Sequence, residues 1–126
     1  MIVDTDILIW YFRKSKAAAS ELLNAAPFSI SSITLMELIQ GAKNKREQNN
    51  IMKLIDVLGA DIVHVNDSMS ARALQYVKEY SLSHGLTIAD ALIAATAYDK
   101  RTELFTANTR HFKFIPGIAL RKFKPI

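Results

Sequence analysis

Short apolar segments alternate with longer helical segments along the whole chain, and this alternation limits the fold more than any other feature. The apolar segments read as strands at residues 2–3, 28–31, 62–65, 104–106 and 118–120. Strands that are separated by helices pair in parallel, because each helix carries the chain back across the sheet. We therefore predict an α/β fold, a three-layer α/β/α sandwich with a mainly parallel central sheet.

The predicted helices have recognisable boundaries. Pro27 stops one helix, and Gly41, Gly59 and Gly85 follow three others, as expected for residues that end helices. Asn66 or Asp67 caps the helix before Gly85. The helices are predicted at residues 7–12, 16–26, 34–41, 46–58, 67–83 and 87–98.

Length and composition indicate one domain that spans residues 1–126 and is long enough to bury a core. No apolar run approaches the ~20 residues that a membrane helix needs. The chain starts in a strand rather than in a signal peptide, and it has no cysteine. We expect a cytoplasmic protein with no membrane span and no thiol chemistry.

Four acids occupy positions where the predicted fold could bring them together. Asp4 and Asp6 follow the first strand, and Glu37 and Asp90 each come three residues after a threonine, near the start of a predicted helix. Ligands in such sheets bind beyond the carboxyl ends of the strands. Carboxylates gathered there suit a divalent metal for phosphodiester chemistry. The alternative is structural, because threonine and acid in this spacing also form capping boxes and Asp4 would suit an N-cap.

The charge distribution favours a polyanionic partner. The net charge is +4, from 16 basic and 12 acidic residues. If the four acids share one pocket, the rest of the surface carries +8. Residues 100–126 contain seven Lys or Arg and one acid, Glu103. Such a surface would hold a nucleic-acid backbone, although a solvated basic face would have the same composition.

Four segments together make the chain resemble the PIN-domain ribonucleases, and most closely the VapC-like toxins of type II toxin–antitoxin pairs. The resemblance covers essentially the whole chain, and the order, spacing and chain length carry it rather than any single motif. The matching segments are IVDTDIL at residues 2–8, SITLMELIQG at 32–41, LTIADALIAATA at 86–97 and LFTANTRHF at 104–112.

The resemblance implies an endoribonuclease that hydrolyses RNA with Mg²⁺ or Mn²⁺. It implies a homodimer that a cognate antitoxin protein silences. It puts the catalytic acids on Asp4, Glu37 and Asp90.

Hard-cation chemistry suggests a role for each of these residues, since Mg²⁺ prefers oxygen ligands and takes one or two protein carboxylates. Asp4 and Asp90 would bind the metal, and Glu37 would orient or deprotonate the attacking water. Thr5 and Asn108 would hold waters of the metal or the scissile phosphate. Two further supporting residues at the strand ends are Asp6 and Thr106.

One segment departs from the family pattern. Many relatives carry a fourth acid between Thr106 and Phe112, where this chain has Asn108 and His111. Neither residue supplies a second strong anionic ligand, so tight binding of a second metal is not expected.

Residues 7–12 are apolar almost all round. Some of these side chains must enter the core, and the resemblance implies that the others meet a second copy of the chain or an antitoxin segment.

Two other functions remain open from the residues alone. Asp-x-Asp after a first strand also opens the haloacid-dehalogenase-type phosphatases, although no later Lys with paired acids follows here. The other possibility is a non-enzymatic module that binds RNA or protein and whose acids only cap helices.

Overall fold

The computed structural model describes residues 1–125 and contains one five-stranded parallel sheet, as predicted. The predicted domain extends to Ile126, which lies outside the described residues. The strand order is β3-β2-β1-β4-β5. The strands are β1 (Ile2–Val3), β2 (Ser29–Ser31), β3 (Asp61–Val63), β4 (Leu104–Thr106) and β5 (Leu120–Lys122).

Six α-helices complete the described fold and cover both faces of the sheet. They are α1 (Thr5–Phe12), α2 (Lys16–Ala25), α3 (Ser32–Gln40), α4 (Lys45–Leu58), α5 (Asp67–His84) and α6 (Ile88–Asp99). A 3₁₀ helix, Thr109–His111, follows β4. Within residues 1–125 no helix combines the length and apolar character that a membrane crossing requires.

Neighbouring residues of each central strand point to opposite faces and so build two separate cores. Ile2 and Leu104 pack with α5 and α6 on one face. Val3 and Phe105 pack with α1, α2 and α4 on the other. The structure therefore confirms the predicted three-layer α/β/α sandwich.

The start of α3 differs from the prediction. The N-cap is Ser31, whose side chain accepts a hydrogen bond from the Ile33 N–H, so Thr34 lies inside the helix. Glu37 is therefore not in a capping box. The prediction for α6 is confirmed, because the Thr87 hydroxyl caps the helix by accepting from the Asp90 N–H at 3.1 Å.

The strand order reverses between β1 and β4, which pair directly through Ile2 with Leu104 and Val3 with Phe105. Parallel sheets bind ligands in the crevice at such a switch point, beyond the carboxyl ends of the strands. Asp4 directly follows β1, and Thr106 is the last residue of β4. The topology thus brings the predicted site residues of the two ends of the chain to one place.

Candidate active site

Asp4 lies at the centre of the candidate site, only 5% exposed, where β1 ends and α1 begins. It is the N-cap of α1, and its Oδ1 accepts a hydrogen bond of 2.8 Å from the Thr5 N–H. Its Oδ2 accepts one of 2.8 Å from the Thr106 hydroxyl. The capping role foreseen as the structural alternative is real, and it fixes this carboxylate at the switch point of the sheet.

Asp6 lies beside Asp4 and shares the same threonine. Its Oδ2 accepts from the Ala107 N–H at 3.0 Å and lies 3.3 Å from the Thr106 hydroxyl. Because that hydroxyl has one proton, the shorter contact to Asp4 is the stronger one. Asp6 Oδ1 is buried and has no hydrogen-bond partner among residues 1–125. An unpaired buried carboxylate oxygen is costly, so this atom is suited to accept a hydrogen bond from a water or to contact a cation.

Glu37 reaches the site from inside α3. The Thr5 hydroxyl donates to Glu37 Oε1 at 2.7 Å, and the hydroxyls of Thr5 and Thr34 are 3.0 Å apart. Thr34 and Glu37 are three residues apart on α3 and therefore share one face of the helix. Thr5 thus links the start of α1 to the middle of α3 and fixes the direction of the Glu37 carboxylate.

Asp90 comes to the site from the first turn of α6. Its Oδ2 lies 3.5 Å from Nδ1 of His111, which belongs to the 3₁₀ helix after β4. From the sequence, His111 was predicted only to lie in the segment where many relatives have a fourth acid, and no role was predicted for it. Its contact with Asp90 depends on the path of the chain after Thr106, which no local pattern in the sequence indicates.

The pKa values indicate that these carboxylates share one low-dielectric region. The pKa of Asp4 is raised to about 7, mainly by burial and secondly by the charge of Asp6. Burial also raises the pKa of Asp6. Burial raises the pKa of Asp90, and the charges of Glu37 and Asp6 add to this effect. Holding several anions together in this way is unfavourable, and a bound cation would relieve the repulsion.

Asn108 lies just beyond the end of β4. Its backbone N–H donates to the Thr106 hydroxyl at 2.9 Å, while its side chain makes no capping hydrogen bond and the residue is exposed. The amide therefore lies at the open rim of the site rather than among the buried carboxylates.

The donor set fits a divalent metal, although the geometry is open. Among residues 1–125 no three His, Asp or Glu side chains are close enough to enclose an ion by themselves. Carboxylate oxygens are nevertheless the ligands that Mg²⁺ and Mn²⁺ prefer, and Mg²⁺ commonly takes only one or two from a protein. The unpaired Asp6 Oδ1 and the burial that raises the pKa values of Asp4 and Asp90 fit the binding of a cation, which would stabilise the ionised carboxylates.

The family model described as "PIN domain" matches residues 1–117, and the chain belongs to this family. This membership decides against the phosphatase alternative. PIN-domain ribonucleases of the VapC type generally depend on a divalent metal.

Named relatives confirm the predicted resemblance to the VapC-like proteins. "Ribonuclease VapC10" of Mycobacterium tuberculosis is 31% identical over 116 residues, with 89% of this chain and 85% of the relative covered. "tRNA(fMet)-specific endonuclease VapC" of Shigella flexneri is 29% identical, with 93% and 92% covered. A chain of the solved "Toxin-antitoxin complex from Klebsiella pneumoniae" is 31% identical with a TM-score of 0.78, and 99% of this chain and 97% of that chain align.

Proposed function

We propose that this chain is the toxin of a toxin–antitoxin pair and hydrolyses RNA with Mg²⁺ or Mn²⁺ at the site around Asp4. The observation that carries the proposal is that four acids, Asp4 after β1 and Asp6, Glu37 and Asp90 on α1, α3 and α6, lie near enough to the switch point of the sheet for burial and their charges to raise the pKa values of Asp4 and Asp90. The relatives named as VapC ribonucleases support the same activity.

Asp4 and Asp90 are the proposed metal-binding residues. Both have raised pKa values, so a cation stabilises their ionised forms. Asp6 Oδ1, which is buried and unpaired, is the proposed acceptor for a water of the ion. A bound divalent cation supplies Lewis-acid polarisation of the scissile phosphate.

Glu37 is the proposed general base. The Thr5 hydroxyl holds one of its oxygens at 2.7 Å, which leaves the other to orient the attacking water and accept its proton. Thr106 positions Asp4 and Asp6 through its single hydroxyl. Asn108, at the exposed rim, is the proposed contact for a phosphate oxygen.

The antitoxin has a suitable docking surface beside this site. A groove of about 450 Å³ lies between α1, α3 and α4 and extends to Glu37. Its apolar lining includes Ile9, which is 38% exposed, and Phe12, whereas Ile7 and Leu8 of the same helix are fully buried. Residues 7–12 thus include both core side chains, as expected, and exposed apolar side chains that a partner could cover. We propose that an apolar antitoxin segment occupies the groove and that its basic side chain reaches the acids.

Three further parts of the proposal follow from the same function. The active unit is one domain spanning residues 1–126, and it forms a homodimer. It acts in the cytoplasm, where its RNA substrates are located and where a chain without cysteines loses nothing to reducing conditions.

The test is RNA cleavage with and without Mn²⁺, using initiator tRNA because the Shigella flexneri relative is named for it, together with total RNA. Asp90→Asn should abolish cleavage while circular dichroism stays native. Asp56→Asn, which changes an exposed acid on α4, is the matched control and should cleave normally. Undiminished cleavage in EDTA or in Asp90→Asn contradicts the mechanism, and a metal-independent RNA-binding activity alone would favour the non-enzymatic module.

A further inference from the structure

A second cavity, of about 330 Å³, adjoins Asp90 and shares no lining residue with the groove between α1, α3 and α4. The turn between α5 and α6 forms one wall, and the 3₁₀ helix after β4 forms the other, with Arg110 and His111. The volume is at the lower end of the range of ~300–1,000 Å³ for sites that bind small organic groups. The cavity therefore has room for one nucleotide-sized group next to a catalytic carboxylate.

Arg110 gives this cavity an unneutralised positive charge. The residue is exposed, and within residues 1–125 its guanidinium forms neither an ion pair nor a hydrogen bond. Arginine in this state is well suited to a phosphate, because its planar group donates two parallel hydrogen bonds to an oxyanion. Asp90 also lines the cavity, and the positive charge of Arg110 would offset the repulsion between this carboxylate and a bound phosphate.

His84 gives the cavity a rigid aromatic surface. Its ring stacks on Phe114 with centroids 4.2 Å apart and an angle of 18° between the planes. Tyr80 packs edge-on against the His84 ring, with centroids 5.8 Å apart. The Nδ1 atom of His84 lies 2.8 Å from the Ser83 hydroxyl. These three contacts fix the ring, yet the residue remains exposed and lines the cavity.

We propose that this cavity is a subsite for the RNA nucleotide next to the scissile phosphate, with its base stacked on His84 and its phosphate held by Arg110. The inference rests on the proposed ribonuclease function and adds the position of the substrate strand. A stacking surface accepts every base, so the subsite fixes the strand relative to Asp90 without choosing a sequence. Both residues are positioning residues, and neither takes part in proton transfer.

The subsite predicts that binding and catalysis respond differently to substitution. Arg110→Ala and His84→Ala should each weaken binding of a fluorescein-labelled single-stranded RNA of about 12 nucleotides by about tenfold in EDTA, where no cleavage occurs. In cleavage assays with Mn²⁺ the same variants should raise KM with little change in kcat. Arg110→Ala should also lower the salt dependence of binding by about one counterion.

Two variants separate the proposed contacts from general effects. His84→Phe keeps the aromatic face and should bind RNA nearly as the unmodified protein does. Arg101→Ala removes the same charge at the opposite end of α6, roughly 18 Å from its start, and should bind normally. Loss of binding in His84→Phe equal to that in His84→Ala, or equal losses in Arg101→Ala and Arg110→Ala, would overturn the subsite.

The outcome also distinguishes this inference from the function on which it rests. If Arg110→Ala and His84→Ala bind and cleave normally while Asp90→Asn is inactive, the ribonuclease stands and the subsite is wrong. If the unmodified protein does not cleave RNA with Mn²⁺, the proposed function itself fails, whereas normal cleavage by Asp90→Asn contradicts the metal-binding role of Asp90. Native circular dichroism spectra of the cavity variants would show that a loss of binding is local. Titration of the unmodified protein and of Arg110→Ala with inorganic phosphate separates binding of a simple anion from binding of the RNA strand.

Discussion

The hydroxyl of Thr106 donates a hydrogen bond of 2.8 Å to Oδ2 of Asp4 and so joins the carboxyl ends of β4 and β1. Both residues are buried, and the bond connects the two ends of the chain at the switch point of the sheet. The Thr106 hydroxyl oxygen also accepts a hydrogen bond from the Asn108 N–H, which fixes the direction of the hydroxyl. One threonine therefore sets the geometry of a carboxylate that is proposed to bind metal.

Replacing this hydroxyl should weaken the site more than the fold around it. Thr106→Val preserves the shape but leaves Asp4 Oδ2 and the Asn108 N–H without a partner, which should cost about 1–3 kcal/mol of unfolding free energy. Mn²⁺ affinity and RNA cleavage should fall with it. Thr106→Ser restores the hydroxyl and should recover most of both. Urea denaturation measures the unfolding free energy, and calorimetry measures the Mn²⁺ affinity. Equal values for the valine and serine variants would show that the Thr106 hydroxyl does not support the site.

Most of the fold was predictable from the sequence, because strand and helix periodicity and the glycine boundaries are local signals. The strand 118–120 was placed two residues too early, as β5 is Leu120–Lys122. That strand is at the sheet edge and is mostly exposed, so hydrophobicity does not mark its register. The start of α3 was misplaced because Ser31, Ser32 and Thr34 are all good caps, and only the structure shows that Ser31 is used.

The positions of two candidate acids were predictable for a topological reason. Asp4 follows β1 and Asp90 lies in the first turn of α6, so the alternation of elements places both at one edge of the parallel sheet. Glu37 was expected in a first turn, but it lies in the middle of α3. The contacts of His111 with Asp90 and of Thr5 with Glu37 depend on side-chain directions between distant elements. Sequence patterns do not contain that information.

Divalent metal should stabilise the protein. The raised pKa values of Asp4 and Asp90 mean that their ionised forms are held unfavourably without a cation. Mn²⁺ at ~100 times its dissociation constant should add ~2.7 kcal/mol to the unfolding free energy. Thermal denaturation should show a rise in Tm that Asp4→Asn largely removes. A rise of the same size in Asp4→Asn would mean that the ion binds elsewhere.

The stability of the metal-free protein should fall as the pH rises. The pKa of Asp4 is about 7 in the folded state, against an ordinary value of 3.8. The folded state therefore binds this proton more tightly, and unfolding free energy is lost as the pH rises from about 4 to about 7. The loss from this group is at most about 4 kcal/mol, at about 1.4 kcal/mol for each pH unit.

The measurement is urea denaturation in EDTA at about pH 5 and about pH 8, comparing the unmodified protein with Asp4→Asn. The variant removes the charge and also relieves Asp6, so its stability relative to the unmodified protein should increase with pH. A relative stability that is constant across this range would show that Asp4 ionises normally.

The groove between α1, α3 and α4 should determine antitoxin affinity without affecting catalysis. Ile9→Ser removes an apolar contact at a position that is already 38% exposed, so the fold should tolerate it. We expect about tenfold weaker binding of the cognate antitoxin and unchanged RNA cleavage by the free toxin. Leu82→Ser, at a fully exposed leucine on α5, is the matched control and should bind the antitoxin normally. Equal affinities for the two variants would place the antitoxin on another face.

Asn108 tests whether the missing fourth acid limits metal binding. Its side chain is at the exposed rim, so Asn108→Asp adds an anion near Asp4 and Asp6 without burying a new charge. Mn²⁺ affinity should increase, and cleavage should become less dependent on high Mg²⁺, because an anionic oxygen attracts a hard dication more strongly than an amide does. Asn108→Ala should reduce cleavage less than Asp90→Asn does. Calorimetric titration with Mn²⁺ in the absence of RNA decides the matter, because the unmodified protein should bind one metal well and a second only weakly. Two tight sites in the unmodified protein, or no gain in affinity from Asn108→Asp, would contradict this assignment.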